Sequence, residues 1–150
     1  MTSARSAAQA LVWFTVALPL FMSIAGLAVD GGVLLTSRRQ LQSVADGAAR
    51  AGATRLDLDR LRASGGADVQ LDQALAIAAA TSYLDERLAR ALPWQAPPAM
   101  HVNAGARRVH VFIQGTLRTA FLRIVHIESV PVEANAFANV QYGIRSASGG

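Results

Sequence analysis

The sequence predicts an α+β protein: an N-terminal transmembrane helix continuing into a juxtamembrane helix, a second helix, and then a small antiparallel β-sheet. Three observations predict it. Residues 10–29 are a run of twenty residues without a charge. Residues 33–56 and 69–92 place apolar side chains at three- and four-residue steps, the period of a helix. Residues 99–142 switch to a two-residue alternation, the period of a half-buried strand.

The uncharged run has the length of a membrane span. At about 1.5 Å per residue it reaches roughly 30 Å, the thickness of a bilayer's hydrocarbon core. A cleaved signal peptide has a shorter apolar core, about 7–15 residues, and a small-x-small site beyond it. Here the nearest such triplet, Gly26-Leu27-Ala28, is followed by more helix-like sequence. The 120 residues that follow are too few to wrap all sides of a buried helix. Pro19 sits mid-span. It would cost about 3 kcal/mol in a soluble helix but is tolerated in membranes, and it predicts a kink and a neighbouring helix. Residues 1–9 read as a polar leader too short to fold. Asp30 should mark the water interface, because its charge would cost about 2.5–3.5 kcal/mol at mid-bilayer. Gly31 and Gly32 should then loosen the helix, each by about 1 kcal/mol against alanine.

From Val33 to about Leu56 the helical period resumes. Leu41, Val44, Ala45, Ala48 and Gly52 share one face; Arg39, Gln42, Asp46 and Arg50 share another. Asp46 and Arg50 are spaced for an i,i+4 ion pair of about 0.2–0.5 kcal/mol. The apolar stripe is made of small residues, which lets a partner element approach closely; for most of it the simplest role is to cover the chain's own core. Residues 62–68 read as a Gly/Ser linker. Asp68 is the expected N-cap of a second helix ending at Pro93, with Ala74, Ile77, Thr81, Leu84, Leu88 and Ala91 buried and a Glu86–Arg90 pair on the wet side.

Strand character begins after the Pro-rich connector 93–98. Met100–Asn103 and Arg107–Gln114 predict a hairpin about Ala104-Gly105, with Val109, Val111 and Ile113 on one face and His110, Phe112 and Gln114 on the other. Leu117–Val125 reads as a short apolar helix with Phe121, Leu122 and Ile124 in the core. Val130–Tyr142 alternates as one long strand, with Val130, Val132, Ala134, Ala136, Ala138, Val140 and Tyr142 on one face and Phe137 breaking the polar face. The tail 146–150 should be loose.

Composition argues against most chemistry. The chain has no cysteine, hence no disulfide framework, thiolate metal site or thiol nucleophile. The formal charge is +4 and the pI about 11.0, yet every basic side chain is arginine, interleaved with acids. No basic run with aromatic interleaving marks a nucleic-acid groove. His101 and His110 approach each other in the predicted hairpin, but no acids nearby complete a metal site. No phosphate loop, carboxylate dyad or nucleophile elbow is present. No cofactor is expected, and the sequence reads as a non-enzyme. The charges flanking the span, Arg5 on one side and Asp30, Arg38 and Arg39 on the other, do not fix its orientation.

Two stretches carry a family resemblance. Gln9-Ala-Leu-Val-Trp-Phe-Thr-Val-Ala-Leu-Pro19 is similar to the opening of TadE/TadG-like proteins, Gln-Ala-x-Val-Glu-Phe-Ala-x-x-x-Pro after a glycine. Ala28-Val-Asp-Gly-Gly32, then Arg38-Arg-Gln-Leu-Gln-Ser-Val-Ala-Asp-Gly-Ala-Ala-Arg-Ala-Gly-Ala53, resembles the TadG-type continuation, Val-Asp-x-Gly and then Arg-x-x-Leu-Gln-x-Ala-Ala-Asp-Ala-Ala-Ala-Leu-Ala-Gly-Ala. The resemblance implies a pilin-like component of the tight-adherence (Flp) pilus, in the type IV pilus and type II secretion class. It implies a single-pass inner-membrane protein with a cytoplasmic N-terminus and an extracytoplasmic C-terminal domain. The implied partners are other pilin or pilus-assembly subunits through the N-terminal helix, the membrane, and prepilin peptidase; no nucleic acid is implied.

By register, Ala8 stands where the glycine before the peptidase cut belongs, Gln9 is the new N-terminus, and Trp13 replaces the glutamate that helps subunits assemble. Arg50 replaces a usual apolar residue, and the chain is too short for the large domain of long TadG proteins. An accessory or priming subunit is therefore expected rather than a major pilin. The helix-packing residues assigned on this basis are Trp13, Phe14, Pro19, Asp30, Gly31, Gly32, Leu41, Gln42, Ala45, Asp46, Ala48 and Gly52. Ala45→Leu or Ala48→Leu would then reduce piliation at intact protein levels. A single-pass anchored binding or scaffold module unrelated to pili predicts the same features.

Overall fold

Alanine, leucine, glutamine and arginine recur throughout residues 2–53, and the chain runs as one helix despite Pro19 and five glycines. The computed structural model describes residues 2–92 and 94–140, with side chains from residue 11 onward except at 89–91, 124 and 125. Helix α1 spans Thr2–Ala53, 52 residues, or about 78 Å at 1.5 Å per residue. The leader is therefore helical rather than unfolded, and the glycine pair does not interrupt the helix. The cost of Gly31 and Gly32 is a local propensity term, and more than five turns of helix on either side outweigh it. Pro19 lies inside α1.

After α1 the chain turns through Arg55 N–H to Gly52 C=O at 3.0 Å. Before the predicted linker, and overlapping it only at Arg62 and Ala63, lies a short helix, α2 (Leu58–Ala63), capped by the Asp57 carboxylate, which accepts from Arg60 N–H at 3.0 Å. It has no buried residue, so hydrophobic spacing did not reveal it. Gly65 and Gly66 follow at φ +60 and +89, the left-handed turn only glycine enters cheaply. An isolated bridge, Leu56 to Leu71, closes the base of this loop.

Helix α3 spans Gln73–Ala91, and its N-cap is Asp72, which accepts from Leu75 N–H at 3.0 Å. Asp68, the expected cap, instead accepts from the Gln70 side chain. The displacement has a packing cause: Val69 and Leu71 are buried in extended chain before the helix begins. It also changes the inward face. Ala76, Ala80, Leu84 and Leu88 are buried, whereas Ala74 and Ile77 are exposed and Thr81 is half-buried. Pro93 and the side chains of Arg90 and Ala91 lie outside the described residues.

Strands β1 (Ala99–Ala104), β2 (Arg108–Arg118) and β3 (Ser129–Asn139) form one antiparallel sheet in the order β1-β2-β3. The hairpin is present, but its turn lies beyond the expected Ala104-Gly105: Ala104 is a buried β1 residue paired with Val109, and Gly105 N–H donates to Arg108 C=O at 2.8 Å to close the turn. Val109, Val111, Ile113 and Leu117 of β2 face inward beside Val132, Ala134 and Ala136 of β3. The predicted helix 117–125 is corrected. Leu117 is a buried residue of β2, and only a 3-10 turn, Leu122–Val125, follows. Two-residue alternation continues through Gly115, where Trp94 covers the strand and donates from Nε1 to Leu88 C=O at 3.1 Å. The glycine removed the apolar side chain that would have made the alternation visible. Tyr142 and the tail lie outside the described residues.

The core is a three-way contact between the C-terminal half of α1, α3, and the inner sheet face. Leu41, Ala45, Ala48 and Ala49 are fully buried there. At Gly52 a small residue is required, because a methyl would stand 2.9 Å from the Ala76 carbonyl; at Gly47 a methyl would meet the Tyr83 ring end, which would have to swing away. The alanines of β3 serve the same end from the sheet side.

Candidate functional site: the α1 surface and the Asp30 dock

The N-terminal half of α1 is apolar and uncovered. Leu11, Trp13, Phe14, Leu20, Phe21 and Met22 are each about three-fifths or more exposed, and Pro19 is exposed. The helix is long and apolar enough to cross a membrane. Its hydroxyls are prepared for such surroundings. Thr15 and Ser23 donate to the carbonyls of Leu11 and Pro19, each at 2.8 Å, so neither leaves a donor free. Ala8 and Gln9 lie in the first turns of α1, and their side chains are outside the described ones.

Asp30 is where this surface meets the domain. The expectation of contact with water is corrected: the residue is 4% exposed. Its carboxylate is held by the chain itself. Oδ2 accepts from Leu122 N–H at 2.6 Å and Phe121 N–H at 2.9 Å, and Oδ1 accepts from Ala120 N–H at 3.2 Å. These amides lie just before and at the first residue of the 3-10 turn, where N–H groups have no helical partner of their own. The Leu122 N–H is the main reason the Asp30 carboxyl lies below its ordinary value of 3.8. Burial opposes that shift, and the Ala120 and Phe121 amides reinforce it.

Four residues earlier, one helical turn along the same face, Gly26 is buried beneath Phe121. A methyl at Gly26 would stand 2.8 Å from the Phe121 Cβ. Gly26 and Asp30 thus form a two-part seat, one steric and one polar, for residues 120–122. None of the three was singled out from sequence for this role, and Phe121, expected in the core, is 43% exposed. A signal was present: Gly26 is the one glycine between residues 10 and 29, and it lies a turn before the aspartate. What docks there is ninety residues away and could not be read.

The remaining predicted residues divide clearly. Leu41, Ala45, Ala48 and Gly52 are buried by the chain's own α3 and sheet. Added bulk at Ala45 or Ala48 therefore strikes the domain core, and a leucine at either position would lower protein levels before it reported on assembly. Gln42 donates to the Asn135 carbonyl at 2.9 Å and to Asp46 at 3.2 Å, tying α1 to β3. Asp46 makes no ion pair with Arg50; among the described residues the one pair is Arg62–Asp59. Among the described residues, nothing outside the local helix backbone stands within 4 Å of a methyl built at Gly31 or Gly32, so no described contact requires either glycine.

The histidines are not brought together as ligands. His101 lies opposite Phe112 in the ladder and stacks on it at 6.4 Å; His110 stacks on Phe137 at 4.4 Å and its Nε2 lies 2.7 Å from Asn135 Oδ1. Among the described residues, no group of three or more His, Asp or Glu side chains is placed to hold a metal ion.

Residues 6–55 match the Tad family, described as "Putative Flp pilus-assembly TadE/G-like". The Tad segment is about a third of the chain and coincides with nearly all of α1, including its apolar half, Gly26, Asp30 and the buried stripe. It associates the chain with Flp pilus assembly. No curated protein and no solved structure matches the chain.

Proposed function

We propose that this protein is a membrane-anchored accessory component of a Flp pilus, a minor pilin or an assembly and priming factor, that acts by helix packing rather than catalysis. The carrying observation is that the Tad segment coincides with a helix whose first half is apolar and exposed on nearly every side. Such a surface needs lipid or other helices around it. On this reading residues 10–29 cross the inner membrane, the N-terminus is cytoplasmic, and the domain built on residues 30–150 is extracytoplasmic. Trp13, Phe14 and Pro19 then face neighbouring pilin or assembly subunits. Gly31 and Gly32, which no described contact requires, give a neighbouring helix a close approach. Trp13 cannot neutralise a neighbour's amino group as a glutamate would, which fits a capping or priming position better than regular incorporation.

The intact mass of the protein from native membranes tests processing. A chain beginning at Gln9 means that prepilin peptidase accepts Ala8; a retained leader means a permanent anchor. Phe14→Ala with Phe21→Ala tests assembly, because both side chains are exposed and their loss leaves the domain intact. Reduced piliation at unchanged protein level is expected. Normal piliation in a strain lacking the whole protein would instead favour an anchored binding or scaffold module unrelated to pili.

A further inference from the structure

The corner formed by residues 119–128 exposes two large apolar side chains among polar ones, and it meets α1 nearer the apolar half than the sheet's buried face does. Phe121 and Ile127 are 43% and 45% exposed, and Leu122 is half-buried between them. Exposed apolar residues are common on any protein and carry nothing singly. Their level is what matters here. Phe121 rests on Gly26, about 6 Å along the helix axis into the uncharged stretch from Asp30. An open apolar groove of about 540 Å³ continues from Phe121 and Leu122 down α1 past Met22 to Leu18.

We propose that this corner is a second membrane contact, a wedge that enters the bilayer interface beside the span and takes lipid as its ligand. The proposal rests on the reading of residues 10–29 as the anchor. If those residues cross the bilayer, a side chain seated on Gly26 is at the level where acyl chains meet headgroups.

The corner's backbone suits that place. In a medium without water, peptide groups must be paired internally. Thr119 N–H donates to Glu128 C=O at 3.1 Å, His126 N–H to Arg123 C=O at 3.1 Å, and Ile127 N–H to Leu122 C=O at 3.1 Å. The amides of residues 120–122 donate to Asp30, and the Thr119 hydroxyl donates to the Ile127 carbonyl. The tip thus offers lipid its side chains and few unpaired amides. Arg118 and Arg123, both exposed, flank it with cations suited to lipid phosphates; exposed His126 and Glu128 are the corner's other polar side chains, which an interfacial position leaves in contact with headgroups and water.

The cysteine-free chain allows a direct test on the full-length protein. Single cysteines at Ala120, Ile127, Leu20 and Asn103 carry a nitroxide, and the protein is reconstituted in phosphatidylcholine vesicles. Collisions with oxygen, which concentrates in lipid, are compared with collisions with a water-soluble nickel chelate. Ala120 and Ile127 are exposed and serve the Asp30 dock by backbone alone or not at all, so neither substitution removes it. Both should give an oxygen-to-nickel ratio several-fold above that at Asn103 near the far hairpin turn, and below that at Leu20. A high ratio at Leu20 with Asn103-like values at both corner sites overturns the wedge and leaves the anchor standing. Water-like values at Leu20 overturn the anchor, and the wedge falls with it. Shielding of the corner sites from both colliders also overturns the wedge, because protein and not lipid then covers the tip.

Discussion

The two halves of α1 are one continuous helix with opposite relations to their surroundings. Residues 11–29 present large apolar side chains outward on all sides, and only Gly26 is buried. Residues 37–52 bury a stripe of small side chains against α3 and the sheet and leave Arg38, Arg39 and Arg50 exposed. The difference shows that helicity and burial are set separately. Helix formation follows from backbone propensity along the whole segment. Burial follows from what the rest of the chain can cover, and the sheet reaches no farther down than the Gly26–Asp30 seat. Below that seat, the chain leaves the apolar surface uncovered.

Substitutions in the two halves should therefore differ, and the largest contrast is between leucines. Leu41→Ala opens a cavity in the core and should cost about 2–5 kcal/mol, read as a lower denaturant midpoint of the domain in detergent. Leu20→Ala, in the uncovered half, should leave that midpoint nearly unchanged. Equal losses in both would break the comparison.

Overpacking comes next. Ala48→Leu should destabilise the domain by about 1–3 kcal/mol, because α3 and the sheet leave no room for the added carbons. The same experiment at an exposed position, Ala28, should be tolerated in the isolated protein.

The seat between the halves is sensitive to pH. The folded Asp30 carboxyl lies below 3.8, so its contribution is fully present above that value and is lost as pH falls through the lowered folded value. Hydrogen exchange at the Ala120, Phe121 and Leu122 amides should be slow near neutrality and accelerate in that acid window. Asp30→Asn should accelerate it at neutral pH and remove the acid step, with little change in α3. The smallest effect is expected at Gly31→Ala, which should raise helix stability by about 0.5–1 kcal/mol, since the methyl meets nothing among the described residues outside the local helix backbone. A loss of piliation despite that gain would place a partner helix against this position.

Sequence reading was most secure where a pattern is local. The long apolar helix, the amphipathic half of α1 and the presence of a hairpin between residues 99 and 118 each follow from residues close together in the chain. It erred where distant residues decide. Asp68 and Asp72 are equally good caps by composition, and the burial of Val69 and Leu71 selects the second. Leu117 has the same apolar neighbours in a helix or a strand, and pairing with Val130 makes it a strand residue.

What the sequence by itself determined is therefore the α+β order and the presence of an anchor-length helix, because hydrophobic period and the lack of charge are properties of short windows. Tertiary structure alone decided the state of Asp30. A carboxylate beside an apolar span reads as a boundary with water, because its neighbours in the chain offer it nothing. Folding delivers three amide donors from ninety residues away, and the charge is satisfied without solvent.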